Sequence, residues 1–281
     1  MYPCPSCGSE ITSEYANISG HVIFSCNKCT LLFNPVDEEK RKKFIKKQYE
    51  TGYAKDYEEK LSKFNERYKN FLHLINRYKT DGNLLDIGCG TGFFLKYVKK
   101  NSFFNPYGVE PNDKLRKVAK LNSKLNIATG SLDQIPYNDN FFDVITCLDV
   151  LEHSININNN ITELKRVLKP NGLLLLQVPN YKSYMAYITG EKWDWWSIPD
   201  HVLHFSFDFI SQYMQNRGFI ILKKFTYQDR NDFILNIMGI FKKNMFTKCL
   251  FIILMPILHI IELLSVITNR GGLSLLLLKK L

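Results

Sequence analysis

The sequence predicts an α/β fold carrying a small metal-stapled module at its amino end. Three observations point there. The apolar run Asn83-Leu84-Leu85-Asp86-Ile87 enters a turn with three glycines, Gly88, Gly90 and Gly92, and residues 93–98 then read as a helix. A second strand-like segment, Pro106-Tyr107-Gly108-Val109, ends on Glu110. Two CxxC pairs, Cys4/Cys7 and Cys26/Cys29, stand near the start of the chain.

Composition sets the frame. The 281 residues are 45% hydrophobic and 23% charged, which excludes wholesale disorder, collagen, coiled coil and a polytopic membrane protein. Aromatic residues reach 14%, enough for a core and a lined pocket. The net charge of +10 is concentrated in residues 40–79, which read as a solvated helical face. The first residues show neither a positive n-region nor an apolar h-region, so no secretory leader is expected. Seven cysteines, four of them paired by spacing, suit reduced thiols in a cytoplasmic setting.

Residues 1–36 read as a zinc ribbon. Each CxxC turn aims two sulfurs at one centre, and two such turns, separated by 18 residues, supply a tetrahedron for zinc. With Cys4, Cys7, Cys26 and Cys29 all filled, no position stays open for water, so the metal is expected to be structural. Val22-Ile23-Phe24 suits a hairpin between the pairs. So short a module needs the metal for stability.

Residues 37–80 read as a helical linker or cap. Phe64, Tyr68, Phe71, Leu72 and Ile75 fall on one helix face. Thr51-Gly52-Tyr53 breaks the run, predicting at least two helices. Tyr49 and Tyr53 are read as linker packing, with closure over a ligand as the alternative.

The glycine turn is the most informative stretch. Glycine lets the backbone bend sharply and approach a ligand closely. The pattern is G-x-G-x-G, so the G-x-G-x-x-G dinucleotide fingerprint is not met. An acid ending the second strand, Glu110, suits a pair of ribose hydroxyls.

At these residues the chain resembles the class I S-adenosylmethionine-dependent methyltransferases. LLDIGCGTG is similar to their first motif and GVEPN to their second. Residues 141–153, FFDVITCLDVLEH, resemble their fourth strand with its loop, and KPNGLLLL resembles the turn into the fifth. The resemblance implies a three-layer, Rossmann-like methyltransferase fold with a seven-stranded sheet over residues 81–281. It implies S-adenosylmethionine as cofactor, with Gly88, Cys89, Gly90 and Gly92 beneath it. Asp86 would lie near the methionine end, Glu110 on the ribose and Pro111 beside the adenine. Asp149 and Val150 would border the methionine moiety and the acceptor. In Gly130-Ser131-Leu132, Ser131 stands where the family often has an aspartate for the adenine amino group.

Residues 179–205 read as an acceptor-side insertion. They hold Trp193, Trp195 and Trp196, then His201 and His204. The tryptophans suit an acceptor pocket or an anchor onto the core. A helix is expected from about Ser206 to Gly218, capped by Ser206 or Asp208. His153, His201 and His204 are the candidate catalytic bases, since an imidazole suits proton removal near neutrality. His153 has the strongest claim because it follows the fourth strand.

Residues 249–267, CLFIILMPILHIIELLSVI, approach the length of a bilayer span. Pro256, His259 and Glu262 interrupt them, and a central charge is costly in lipid. A core helix leading to a last strand at 271–278 is the primary expectation. An interfacial helix touching a membrane peripherally is the second.

The expected activity is methyl transfer to a small-molecule acceptor, such as a sugar or lipid-linked glycan precursor. The arrangement resembles a methyltransferase group with an amino-terminal zinc ribbon. Sugar C-methyltransferases of that group carry a further carboxy-terminal domain for which this chain is too short, so O- or N-methylation is expected. One alternative is a ribosomal RNA guanine methyltransferase gripping RNA with the ribbon, although the positive charge forms no arginine-rich patch. Another is a non-catalytic adaptor with a ligand-binding methyltransferase fold.

Overall fold

The computed structural model describes residues 2–50, 65–123, 125–228 and 260–281. In chain order the elements are β1 (Thr12–Ile18), β2 (His21–Cys26), β3 (Leu32–Phe33), α1 (Glu38–Glu50) and α2 (Asn65–Asn76). The central part comprises β4 (Asp81–Ile87), α3 (Phe93–Asn101), β5 (Phe103–Val109), α4 (Asp113–Ser123), β6 (Asn126–Ala128), β7 (Phe142–Leu148) and α5 (Ile157–Val167). Then follow β8 (Leu168–Pro179), α6 (Tyr184–Thr189), β9 (Leu203–His204), α7 (Phe207–Asn216), β10 (Phe219–Tyr227) and β11 (Leu273–Lys280).

The main sheet has seven strands in the order β10-β11-β8-β7-β4-β5-β6. The strands from β8 to β6 run parallel, and β11 pairs antiparallel with both β8 and β10. Strands flanked on both sides and covered on both faces read as unbroken apolar runs. Leu84, Leu85 and Ile87 of β4, Leu173–Leu176 in β8 and Leu275–Leu278 in β11 are all buried accordingly. Two apolar layers result. One gathers α5 and α7 with the ribbon, and the other gathers α2, α3 and the opposite sheet face. The predicted face of α2 is in the second layer: Tyr68, Phe71, Leu72 and Ile75 are buried. Phe64, Tyr53 and the break at 51–53 lie outside the described residues, as does the side chain of Tyr49.

The ribbon hairpin turns through Ser19 and Gly20, both at positive φ, as a tight two-residue connection requires. Its sheet is larger than residues 1–36. The order is β1-β2-β3-β9, so Leu203 and His204 of the insertion pair with Phe33 and Leu32. Asn158 on α5 donates to the carbonyls of Pro5 and Ser6, at 3.3 and 3.1 Å, and accepts from Tyr213 on α7. The ribbon is thereby built onto the larger unit.

The expected last strand is β11, and Ser206 caps α7 by accepting from Phe209 N at 3.2 Å. The expectation of a core helix over 249–267 does not fit the part described. Residues 260–267 are helical, but Ile260, Leu263, Leu264, Val266 and Ile267 are exposed, and Ser265 is the buried residue of the turn. Residues 249–259 lie outside the described residues. No described helix is long and apolar enough to cross a membrane.

Gly108 shows how closely sheet and helix meet. A Cβ there would lie 2.7 Å from Cys89 Sγ and 2.8 Å from Leu95 Cδ1. Gly108→Ala should therefore destabilise the protein by about 1–3 kcal/mol through overpacking. A urea midpoint equal to the wild type would show that this contact yields freely.

Candidate active site

The crevice begins where β4 and β5 end level. Ile87 pairs with Val109 in parallel register. The chain then bends through Gly88, Gly90 and Gly92 at φ of 66°, 55° and 76°. The N–H groups of Gly88 and Cys89 both donate to Val109 O, at 2.8 and 3.1 Å. A Cβ at Gly88 would come within 2.8 Å of Val150 Cγ2, so the loop after β7 presses on the bare turn.

Glu110 closes the crevice. Its buried carboxylate accepts from Gly90 N and from Asn112 N, each at 2.8 Å on a different oxygen. One lone pair per oxygen remains for a further donor. Burial raises its pKa, and the Asn112 and Gly90 amides and Arg116 oppose that. Beside it opens a cleft of 230 Å³ lined by Pro111, Thr129, Gly130, Ser131 and Gln134. Ser131 Oγ accepts from Asp133 N at 3.3 Å. Leu132 points the other way, into the apolar core, and Cys89 packs its buried sulfur towards Gly108. Of these two residues, the main chain is what remains at the crevice.

Asp86 lies beneath the turn, buried, and accepts from Thr146 Oγ1 at 2.6 Å. Burial pushes its carboxyl up to about 7; the threonine opposes this and the Glu110 charge adds to it. Asp149 sits at φ 57°. It accepts from Gln177 Nε2 at 2.6 Å and from Arg67 Nη2 at 2.8 Å, and Tyr227 hydroxyl donates to Gln177. Burial works against the Arg67 cation, but Tyr227 and Asp149 hold its pKa up. Arg67, Gln177 and Tyr227 were not legible as site residues. They come from α2, β8 and β10 and share no local motif.

The three histidines separate. His153 and His201 meet with ring centroids 4.7 Å apart. His153 Nδ1 lies 3.2 Å from both the carbonyl and a carboxylate oxygen of Asp200. Burial pushes His153 down, but Asp200 outweighs it and holds the imidazole at about 9. His201 Nδ1 contacts Trp195 O at 2.8 Å, and burial followed by the His153 charge takes its pKa down to about 3. His204 stands in the ribbon sheet, edge-on to Trp196 with centroids 4.9 Å apart, and burial lowers it to about 3. Trp193 and Trp196 are buried in a cluster with Ile23 and Leu32 of the ribbon, so these two anchor the insertion. Glu152, buried beside His153, was not singled out from the sequence either.

In the ribbon, Cys4 and Cys29 sulfurs lie 3.6 Å apart, as do those of Cys7 and Cys26, and all four fall within 4.8 Å of one another. A zinc tetrahedron with bonds of about 2.3 Å has edges of roughly 3.8 Å, so the four thiols fit that ion. The residue after each pair, Gly8 and Thr30, takes positive φ, which turns both CxxC loops alike.

Residues 53–224 match the methyltransferase-domain family, and the chain belongs to it. The fold is that of the S-adenosylmethionine-dependent methyltransferases. Residues covering 82% of this chain and 98% of one from Thermotoga maritima superpose with a TM-score of 0.55 at 17% identity. Among curated proteins, the chain is 26% identical to a sterol 24-C-methyltransferase of Pneumocystis carinii, covering 52% of this chain and 46% of that one. It is 28% identical to a ubiquinone biosynthesis O-methyltransferase of Rickettsia prowazekii, covering 42% and 50%. The chain thus spans about half the length of these relatives.

Two outcomes test the crevice. Glu110→Ala should weaken S-adenosylhomocysteine binding by about 1–3 kcal/mol in calorimetry, and an unchanged affinity would remove Glu110 from the ribose. Asp86 prefers its neutral form in the fold, since about 7 lies above its unfolded value of about 3.9. Stability should therefore fall as pH rises from about 4 to 7, relative to Asp86→Asn, by up to roughly 4 kcal/mol. Parallel melting-temperature curves for the two proteins would contradict this.

Proposed function

We propose that the protein transfers a methyl group from S-adenosylmethionine to oxygen or nitrogen of a small-molecule acceptor, a sugar or lipid-linked glycan precursor. The observation carrying this reading is the buried Glu110 carboxylate, fixed by two amides and followed directly by Pro111, which lines the cleft with Ser131. The cofactor fits the residues present. The glycine turn lacks the Cβ that would strike Val150, and the buried Thr91 hydroxyl within it has no partner among the described residues. Bound there, S-adenosylmethionine supplies an electrophilic methyl on sulfur.

The chain's own residues do the rest. Glu110 takes the ribose hydroxyls, while Pro111 and Ser131 flank the adenine. Asp86 and Asp149 face the methionine end. Val150 narrows the space between turn and acceptor, which favours in-line approach. The acceptor lies against Glu152, His153 and His201, the groups available to manage its proton. The exposed apolar side chains of 260–267 support an acceptor with apolar character, and peripheral membrane contact through 249–267 belongs to the same reading. The relatives named for sterol and ubiquinone chemistry act on molecules of that kind.

The test is incubation of the full chain with methyl-labelled S-adenosylmethionine and separated small-molecule, lipid and RNA fractions. Label should enter the small-molecule or lipid fraction and be lost in Glu110→Ala. Label confined to RNA, or none with cofactor bound, would refute the proposal.

A further inference from the structure

Glu152 is 1% exposed, and among the described residues neither carboxylate oxygen has a hydrogen-bond partner. A buried carboxylate left so is costly unless something cationic satisfies it. What surrounds it is a set of donors. One ligand atom each from Glu152, His153 and His201 lie within 4.8 Å of one another. Both imidazoles are already oriented through Nδ1, His153 by Asp200 and His201 by the Trp195 carbonyl. With Nδ1–H engaged by oxygen, Nε2 is the nitrogen left to face an ion, and on His153, which Asp200 holds protonated, the ion takes the place of the Nε2 proton.

We infer that Glu152, His153 and His201 form a second metal site, for a divalent first-row transition ion, on the acceptor side of the crevice. Two nitrogens and one carboxylate oxygen suit zinc, iron or manganese rather than calcium or magnesium. Donors around such an ion at about 2.1 Å lie roughly 3.4 Å apart, so side-chain rotations closing the triad by an ångström or so complete it. Three protein ligands leave coordination positions open, in contrast to the closed thiolate set of the ribbon. His153, with 31% of its side chain exposed, provides the entry. The backbone holds the triad together from two sides, because Val202 N donates to Glu152 O at 2.8 Å and the His153 carbonyl accepts from Arg41 at 2.6 Å. The inference rests on the acceptor side proposed above and deepens it: an acceptor oxygen bound to the ion would lose its proton more readily.

The experiment uses the full chain carrying one equivalent of zinc in the ribbon, titrated with further zinc by calorimetry. A second zinc should bind at one per chain. Glu152→Gln and His201→Gln should each weaken it at least tenfold while leaving S-adenosylhomocysteine affinity unchanged. A single zinc per chain at saturation, or a second zinc held equally by both variants, overturns the site. Should one variant fail to fold, the wild-type stoichiometry and the other variant decide. Binding of S-adenosylhomocysteine without a second zinc overturns this site alone. Its failure to bind overturns the cofactor reading and leaves the zinc count standing.

Discussion

The crevice depends on one hydrogen bond between two neighbouring strand ends, from the Gly90 amide to the buried Glu110 carboxylate at 2.8 Å. Because β4 and β5 end in register, the turn leaving one strand meets the acid leaving the other. A carboxylate accepting from backbone amides is held more strongly than a neutral acceptor would be. Each such bond contributes about 1.5–3 kcal/mol, which offsets the burial of the charge. The glycines matter here for geometry. Gly88 leaves room for Val150, and that contact brings the loop after β7 against the turn. The proposed cofactor and acceptor sides are therefore set by the same few strand ends.

The ribbon works on the other half of the site. Its third strand pairs with β9, and just beyond it the Asn34 N–H donates to the Val202 carbonyl, next to β9, at 2.9 Å. On its other side Val202 N holds Glu152 O. A continuous backbone path thus leads from the cysteine module to the loop bearing Glu152 and His153. A metal that folds the ribbon would in this way stiffen the segment that carries His201 and Asp200. Residues 1–36, too short for a core of their own, accordingly share an apolar core with α5 and α7.

What could be read from sequence was what is local. The glycine turn, the acid after β5, the CxxC pairs and the apolar strands each declare themselves within about ten residues. Arg67, Gln177 and Tyr227 do not, since their meeting at Asp149 needs four separate elements to be in place. β9 is two residues long and shows no period. Leu132 and Cys89 belonged to the right motifs, yet their side chains face the core, which a motif does not specify. The helical turn at 260–267 is as apolar as a core helix, and composition could not tell which side meets protein.

The histidines show the same limit in chemical form. One residue type takes two opposite states because its neighbours differ: Asp200 raises His153, while burial lowers His201 and His204. Asp200, which decides the first case, lies 47 residues from His153 in the chain. The family match covers residues 53–224 and leaves the ribbon outside. The part common to the family therefore builds the crevice from backbone and carboxylates. The ribbon, by pairing β3 with β9, holds the segment that follows His201. On the function proposed above, that added sheet borders the acceptor and stands apart from Glu110 and the glycine turn.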